Sequence, residues 1–175
     1  MKKIITILGI VGIIIIAVFV FQKNQQSSPV ISESPTPKPI SLCYRYENTL
    51  PSGFSDRALL IMNFTGTGGT NLTGEYRNYP AESDSKVGTF TGTAGPMIPA
   101  ISARIADVWW DSFAEGMRVT EQLRIVFGEG SAAAQFGEMV DRGDGVYVYK
   151  DVTNLTSGFQ MNQVDCTGFD IAGGR

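Results

Sequence analysis

The sequence predicts an all-β domain, an antiparallel up-and-down β-barrel of about eight strands, preceded by one N-terminal transmembrane helix. Three observations carry that expectation. From Leu42 onward, short segments alternate apolar and polar residues and are separated by turns rich in Gly, Pro and Asp. No segment beyond Phe21 sustains a helical period. The stretch Ala103–Phe127 reads as one long hairpin whose register follows from its side chains.

A two-residue turn at Glu115-Gly116 sets that register. It opposes Ala114 to Met117, Ser112 to Val119, Trp110 to Glu121, Val108 to Leu123 and Ala106 to Ile125 on one face. The other face opposes Phe113 to Arg118, Asp111 to Thr120, Trp109 to Gln122 and Asp107 to Arg124. The first face is apolar and the second polar. A slip of one residue would exchange them, so the register is strongly specified. Glu121 is the exception, a carboxylate in the middle of the apolar face.

The remaining elements follow in order. LCYRYEN places Tyr44 and Tyr46 on one side of a first strand, and RALLIMNF (Arg57–Phe64) is apolar enough to be covered on both faces. Asn71–Tyr79 puts Leu72, Gly74 and Tyr76 on one side. VGTFTGT (Val87–Thr93) is strand-like through its threonines, Val87 and Phe90, and its glycines permit strong curvature. After the hairpin, a strand is expected over Ser131–Val140, with Ala132, Ala134, Phe136, Glu138 and Val140 sharing a face. Asp141–Gly145 is a tight turn, GVYVYK a further strand, and Gly158–Cys166 returns to pair with the first strand. A meander of this kind closes most naturally into a barrel, which removes exposed edges, with a two-sheet sandwich as the alternative. An eight-stranded barrel is either filled by side chains or holds one small ligand.

Lys2 and Lys3 precede Ile4–Phe21, which is 18 residues without a charge or a proline. That length is at the lower edge of what spans a bilayer. The run is long for a signal peptide and no A-x-A pattern follows it, which favours an uncleaved anchor over residues 1–23. The lysine distribution puts the N-terminus in the cytoplasm and the rest outside the cell membrane. Residues 24–41 hold four prolines and five serines and read as an extended linker. The folded domain is then 42–169, with a disordered tail at 170–175. From Leu42 onward ten basic residues stand against sixteen acidic ones, a net of −6, which argues against nucleic acid and anionic membrane surfaces as partners. The two cysteines, Cys43 and Cys166, lie at the two ends of this domain and suggest a disulfide joining the first and last strands. Histidine is absent, which excludes Ser-His-Asp and Cys-His catalysis, His-ligated zinc or haem, and a histidine pH switch. No cofactor and no metal is expected.

The segments CYRYEN, GEYRN, AESDSKVGTFTGT, DVWWDSFAEG and FGEMVDRGDGVYVYKD together resemble a family of small, uncharacterised, exported bacterial proteins. In that family a lipoprotein signal or membrane anchor precedes a C-Y-x-Y start. The resemblance spans nearly all of residues 43–166 and implies a lipocalin-like or avidin-like barrel. It carries no established activity and so lends no catalytic residue. The lipocalin G-x-W signature is missing near the first strand, so ligand type does not carry over beyond fold analogy.

Glu121 is the leading candidate site residue. Among Trp110, Val119, Leu123 and Ile125 its carboxylate would be desolvated, and it serves either as a ligand anchor or general acid, or as half of a structural pair with Arg45 or a tyrosine hydroxyl. Tyr44, Tyr46, Tyr76 and Trp110 are candidates for lining a pocket, and the alternative is that they fill the barrel. Glu138 facing the same way as Glu121 would give two carboxylates and a glycosidase-like hydrolase. Trp109 and Phe113, on the outer face, are candidates for contact with a partner. The expected role is a membrane-tethered, extracytoplasmic and non-catalytic module that binds a small ligand or an envelope protein. The alternative is the small hydrolase using Glu121 and Glu138.

Overall fold

A computed structural model describes residues 40–65 and 69–167. The strands are β1 (Ile40–Thr49), β2 (Ser55–Thr65), β3 (Asn71–Tyr79), β4 (Lys86–Ala94), β5 (Ala103–Ala114), β6 (Met117–Gly128), β7 (Ser131–Phe136), β8 (Met139–Asp141), β9 (Val146–Tyr149), β10 (Thr156–Ser157) and β11 (Met161–Val164). One 3-10 turn, Pro99–Ile101, precedes β5. Among the described residues no helix is long and apolar enough to cross a membrane. The predicted anchor, most of the predicted linker and the predicted C-terminal tail lie outside the described residues. The linker boundary itself is corrected: Ile40 and Ser41 belong to β1, opposite Phe64 and Asn63. The Ser41 hydroxyl donates to Asn63 Oδ1 at 2.7 Å, a partner that linker composition does not reveal.

β1 to β7 form an antiparallel meander, and β11 inserts between β7 and β1 to close an eight-stranded barrel. The β5–β6 register agrees with the sequence at every pair worked out above. Its turn is of the kind that twists with the strands: Glu115 and Gly116 both have positive φ, 51° and 79°. Alternation then sends Leu60, Met62, Leu72, Tyr76, Phe90, Val108, Trp110, Leu123, Ile125 and Met161 inward, where each is essentially fully buried. The middle of the barrel is a packed core rather than a hollow.

Two glycines let the wall curve around so bulky a core. A Cβ on Gly74 would lie 2.0 Å from Ile61 O and 2.4 Å from the Phe90 ring, and one on Gly88 would lie 2.2 Å from Asp111 O. Neighbouring strands approach these positions more closely than any side chain allows.

The segment Ser131–Val140 is not one strand. It breaks at Gly137-Glu138, and β8 and β9 leave the wall as a separate hairpin. β9 runs parallel to the first half of β6, with Thr120 opposite Val146 and Glu121 opposite Tyr147, while β7 pairs only with the second half, from Arg124 to Phe127. Tyr149 holds the two strands apart. Its hydroxyl donates to Gln135 O at 2.6 Å and accepts from Arg124 N at 3.2 Å, so it stands where the β6–β7 ladder would otherwise continue.

Cys43 and Cys166 are bonded, with Cα atoms 5.4 Å apart across 123 residues of sequence. β11 contributes only three residue pairs to β1 and two to β7, so the covalent link holds a short closing strand in place. Replacing both cysteines by serine is expected to lower stability by about 2–5 kcal/mol, read as a reduced denaturation midpoint. An unchanged midpoint would show that closure does not depend on the bridge.

Candidate functional site

Each end of the barrel interior carries a cation. At the end where β1 begins, Arg104 lies 5.6 Å from the ring centroids of both Phe64 and Phe127. Its guanidinium donates to Gly95 O at 2.8 Å and to Gly69 O at 3.2 Å, which completes a structural plug. The opposite end is different in kind. There Lys86 Nζ, 5.1 Å from the Trp110 ring centroid, meets Glu121 Oε1 at 2.5 Å. The pair is only partly shielded, with side chains 30% and 13% exposed respectively.

Three polar atoms toward this second end are buried and have no hydrogen-bond partner among the described residues: Tyr76 Oη, Trp110 Nε1 and Asn78 Oδ1. The strands place them together. Asn78 is opposite Lys86 across β3–β4, Trp110 is opposite Glu121 across β5–β6, and the Tyr76 and Trp110 rings pack at 5.2 Å. Burial pushes the Tyr76 hydroxyl well above the ordinary tyrosine range, so it stays protonated and available as a donor. Phe136 closes one side against Tyr76 at 6.5 Å, and Tyr46 stacks on Phe159 at 4.6 Å on the rim. Glu121 also lies where β6 leaves β7, beside the Tyr149 wedge.

The residues singled out from the sequence fall into three groups. Glu121 and Trp110 belong to this end, with Tyr46 at its edge. Tyr44 does not: it is fully buried in the core, and its hydroxyl donates to Gly128 O at 3.3 Å. Glu138 is a correction, since it lies on the exposed β7–β8 connection and pairs with Lys150 Nζ at 2.7 Å. The glycine before it ends the alternation on which its inward placement rested. Each acid therefore faces its own lysine, and the two-carboxylate arrangement of a glycosidase is not formed. The expected partners of Glu121 are corrected too. Arg45 points outward to Glu47 at 2.7 Å, and the cation comes from β4 instead. On the outer face, Arg142 of the Asp141–Gly145 turn covers Trp109 at 5.6 Å, while Phe113 remains 51% exposed.

Lys86 and Asn78 were not anticipated, although the signal was present. Continuing the inward alternation back from Phe90 through Gly88 reaches Lys86, and continuing it forward from Tyr76 reaches Asn78. Chemically, the cluster offers a cation, an anion, a hydroxyl, an indole N–H and an amide, with no nucleophile or metal set. Among the described residues no group of three or more acids or cysteines could hold a metal ion.

Two predictions follow from this geometry. Lys86→Met leaves the Glu121 carboxylate unpaired and should destabilise by about 1–3 kcal/mol, less than for a fully buried pair because the lysine is 30% exposed. Lys86→Met with Glu121→Leu should recover most of that loss, so a denaturation double-mutant cycle should be strongly non-additive, and additive losses would mean the pair is not formed. Burial also raises the hydroxyls of Tyr44, Tyr76 and Tyr149 above the ordinary value of 10.0. Their stabilisation is complete below pH 10 and is lost as pH rises through the folded values, because the unfolded chain ionises first. In a 295 nm titration these three tyrosines should ionise above the ordinary value; titration of all three at that value would contradict their burial.

Comparison of this chain with models of protein families, with curated proteins and with solved structures finds no match.

Proposed function

We propose that the protein is a membrane-tethered, extracytoplasmic binding module, non-catalytic, that takes a small polar ligand at the Lys86–Glu121 end of its barrel. One observation carries this reading: Tyr76 Oη, Trp110 Nε1 and Asn78 Oδ1 are buried without a partner among the described residues, on strands that also carry the Lys86–Glu121 ion pair. Leaving a buried polar group unsatisfied costs about 1–3 kcal/mol, so three at one place favour a partner that the chain does not itself supply. The core elsewhere is packed with apolar and aromatic side chains, which restricts the ligand to this end. The donors Lys86, Tyr76 and Trp110 suit an anionic or carbonyl group, while Glu121 and Asn78 accept from an amine or hydroxyl. The charge-free run Ile4–Phe21 and the Cys43–Cys166 disulfide favour a membrane tether and an oxidising, extracytoplasmic location.

Native mass spectrometry of the full chain, extracted in mild detergent, tests the reading. The expected result is added mass that is lost on denaturation and is absent from the folded Lys86→Met, Glu121→Leu double variant. A bare mass from the folded wild type would assign those polar atoms to ordered water and overturn the binding role.

A further inference from the structure

At the other end of the barrel the β4–β5 connection, Gly95–Ser102, has the sequence GPMIPAIS, without a charged residue. Pro96, Met97, Pro99, Ala100 and Ile101 are all exposed, Met97 at 54% and Ile101 at 57%. The loop is not loose. Gly95 N donates to Ile105 O and Ile98 N to Ala103 O, each at 2.8 Å, while Ser102 N donates to Pro99 O at 3.3 Å. Arg104 secures its base by donating to Gly95 O at 2.8 Å. The backbone thus fixes a shape whose apolar side chains have no core to pack against.

We propose that this loop inserts shallowly into the surface of the bilayer that carries the protein, seating Met97 and Ile101 at the boundary between headgroups and acyl chains. The inference rests on the membrane tether of the preceding reading. Three observations favour a lipid surface over a protein partner. β1 begins at this same end of the barrel, with Ile40 itself 60% exposed, so the segment that follows the apolar run Ile4–Phe21 joins the barrel at the end that carries the loop. The intervening residues, 24–39, span at most about 58 Å, which keeps the domain within reach of the membrane and favours an otherwise weak contact. At the opposite end the exposed Phe54 and Met117 stand among acids, Glu82, Asp84 and Glu115, which oppose insertion; the β4–β5 loop has none of its own. Glu129 and Asp165 belong to other turns of the loop's end, and with the domain's net −6 they favour zwitterionic over anionic lipid.

The test uses the full chain reconstituted into phosphatidylcholine vesicles, with a nitroxide on Met97→Cys or, as the control, on Phe54→Cys. Power saturation should show the position 97 label several-fold more accessible to oxygen than to a water-soluble nickel chelate, and the position 54 label the reverse. Ile101→Trp, read by quenching from lipids brominated on their acyl chains, repeats the measurement without an added cysteine. If protein that resists carbonate extraction shows both labels equally open to nickel, and the Ile101→Trp variant shows no quenching beyond wild type, the loop does not insert and the tether stands. If carbonate removes the protein from the vesicles, the tether fails and the proposal falls with it.

Discussion

The register of the β5–β6 hairpin is the constraint on which the rest depends. Twelve consecutive residue pairs from Ala103–Gly128 to Ala114–Met117 leave no freedom in which side chains face inward. Each cross-strand pair contributes only about 0.2–1 kcal/mol, but a slip would lose them all and turn the apolar face to water. The same register that buries Trp110, Val108, Leu123 and Ile125 carries Glu121 inside with them. An interior carboxylate needs a cation, and β4 supplies it by starting on Lys86 with inward parity. The ion pair is therefore a consequence of the hairpin and also the beginning of the site.

The two ends of the barrel solve the same problem in different ways. Arg104 satisfies its guanidinium with main-chain carbonyls and lies over two aromatic rings, so that end is closed. The Lys86–Glu121 pair has as cross-strand neighbours Asn78 and Trp110, which carry buried atoms without a partner among the described residues, and it sits where Tyr149 parts β6 from β7. Apolar packing and the polar cluster are thus divided along one axis. Aromatic and aliphatic side chains fill the middle, and the buried polar atoms left without a partner among the described residues include Tyr76 Oη, Asn78 Oδ1 and Trp110 Nε1 toward the Lys86–Glu121 end.

Much of the barrel was legible because alternation is a local property. The hairpin pairs, the return of the last strand to β1 and the Cys43–Cys166 bridge all followed from side-chain parity, turn residues and the placement of two cysteines. The excursion of β8 and β9 was not legible. Gly137 breaks a strand whose alternation otherwise runs smoothly from Ala132 to Val140, and a single glycine inside such a run does not announce a change of partner. Glu138 was misplaced for that reason. The partner of Glu121 was missed because diagonal contacts across a curved barrel depend on stagger between strands, which no one strand encodes. Tyr44 and Trp110 have the same inward parity, yet only the three-dimensional arrangement separates a hydroxyl bonded to Gly128 from an indole left without a partner.

The most direct test of this account uses the two tryptophans, which are adjacent in sequence and assigned by the register to opposite faces. Trp110 is fully buried and Trp109 is 42% exposed. Hydrogen exchange of the two indole N–H groups, assigned with Trp109→Phe, should be slow by orders of magnitude for Trp110 and fast for Trp109. Fast exchange at Trp110 with protection at Trp109 would mean the strands pair one residue out of step. Glu121 would then face solvent, and the interior site would not exist.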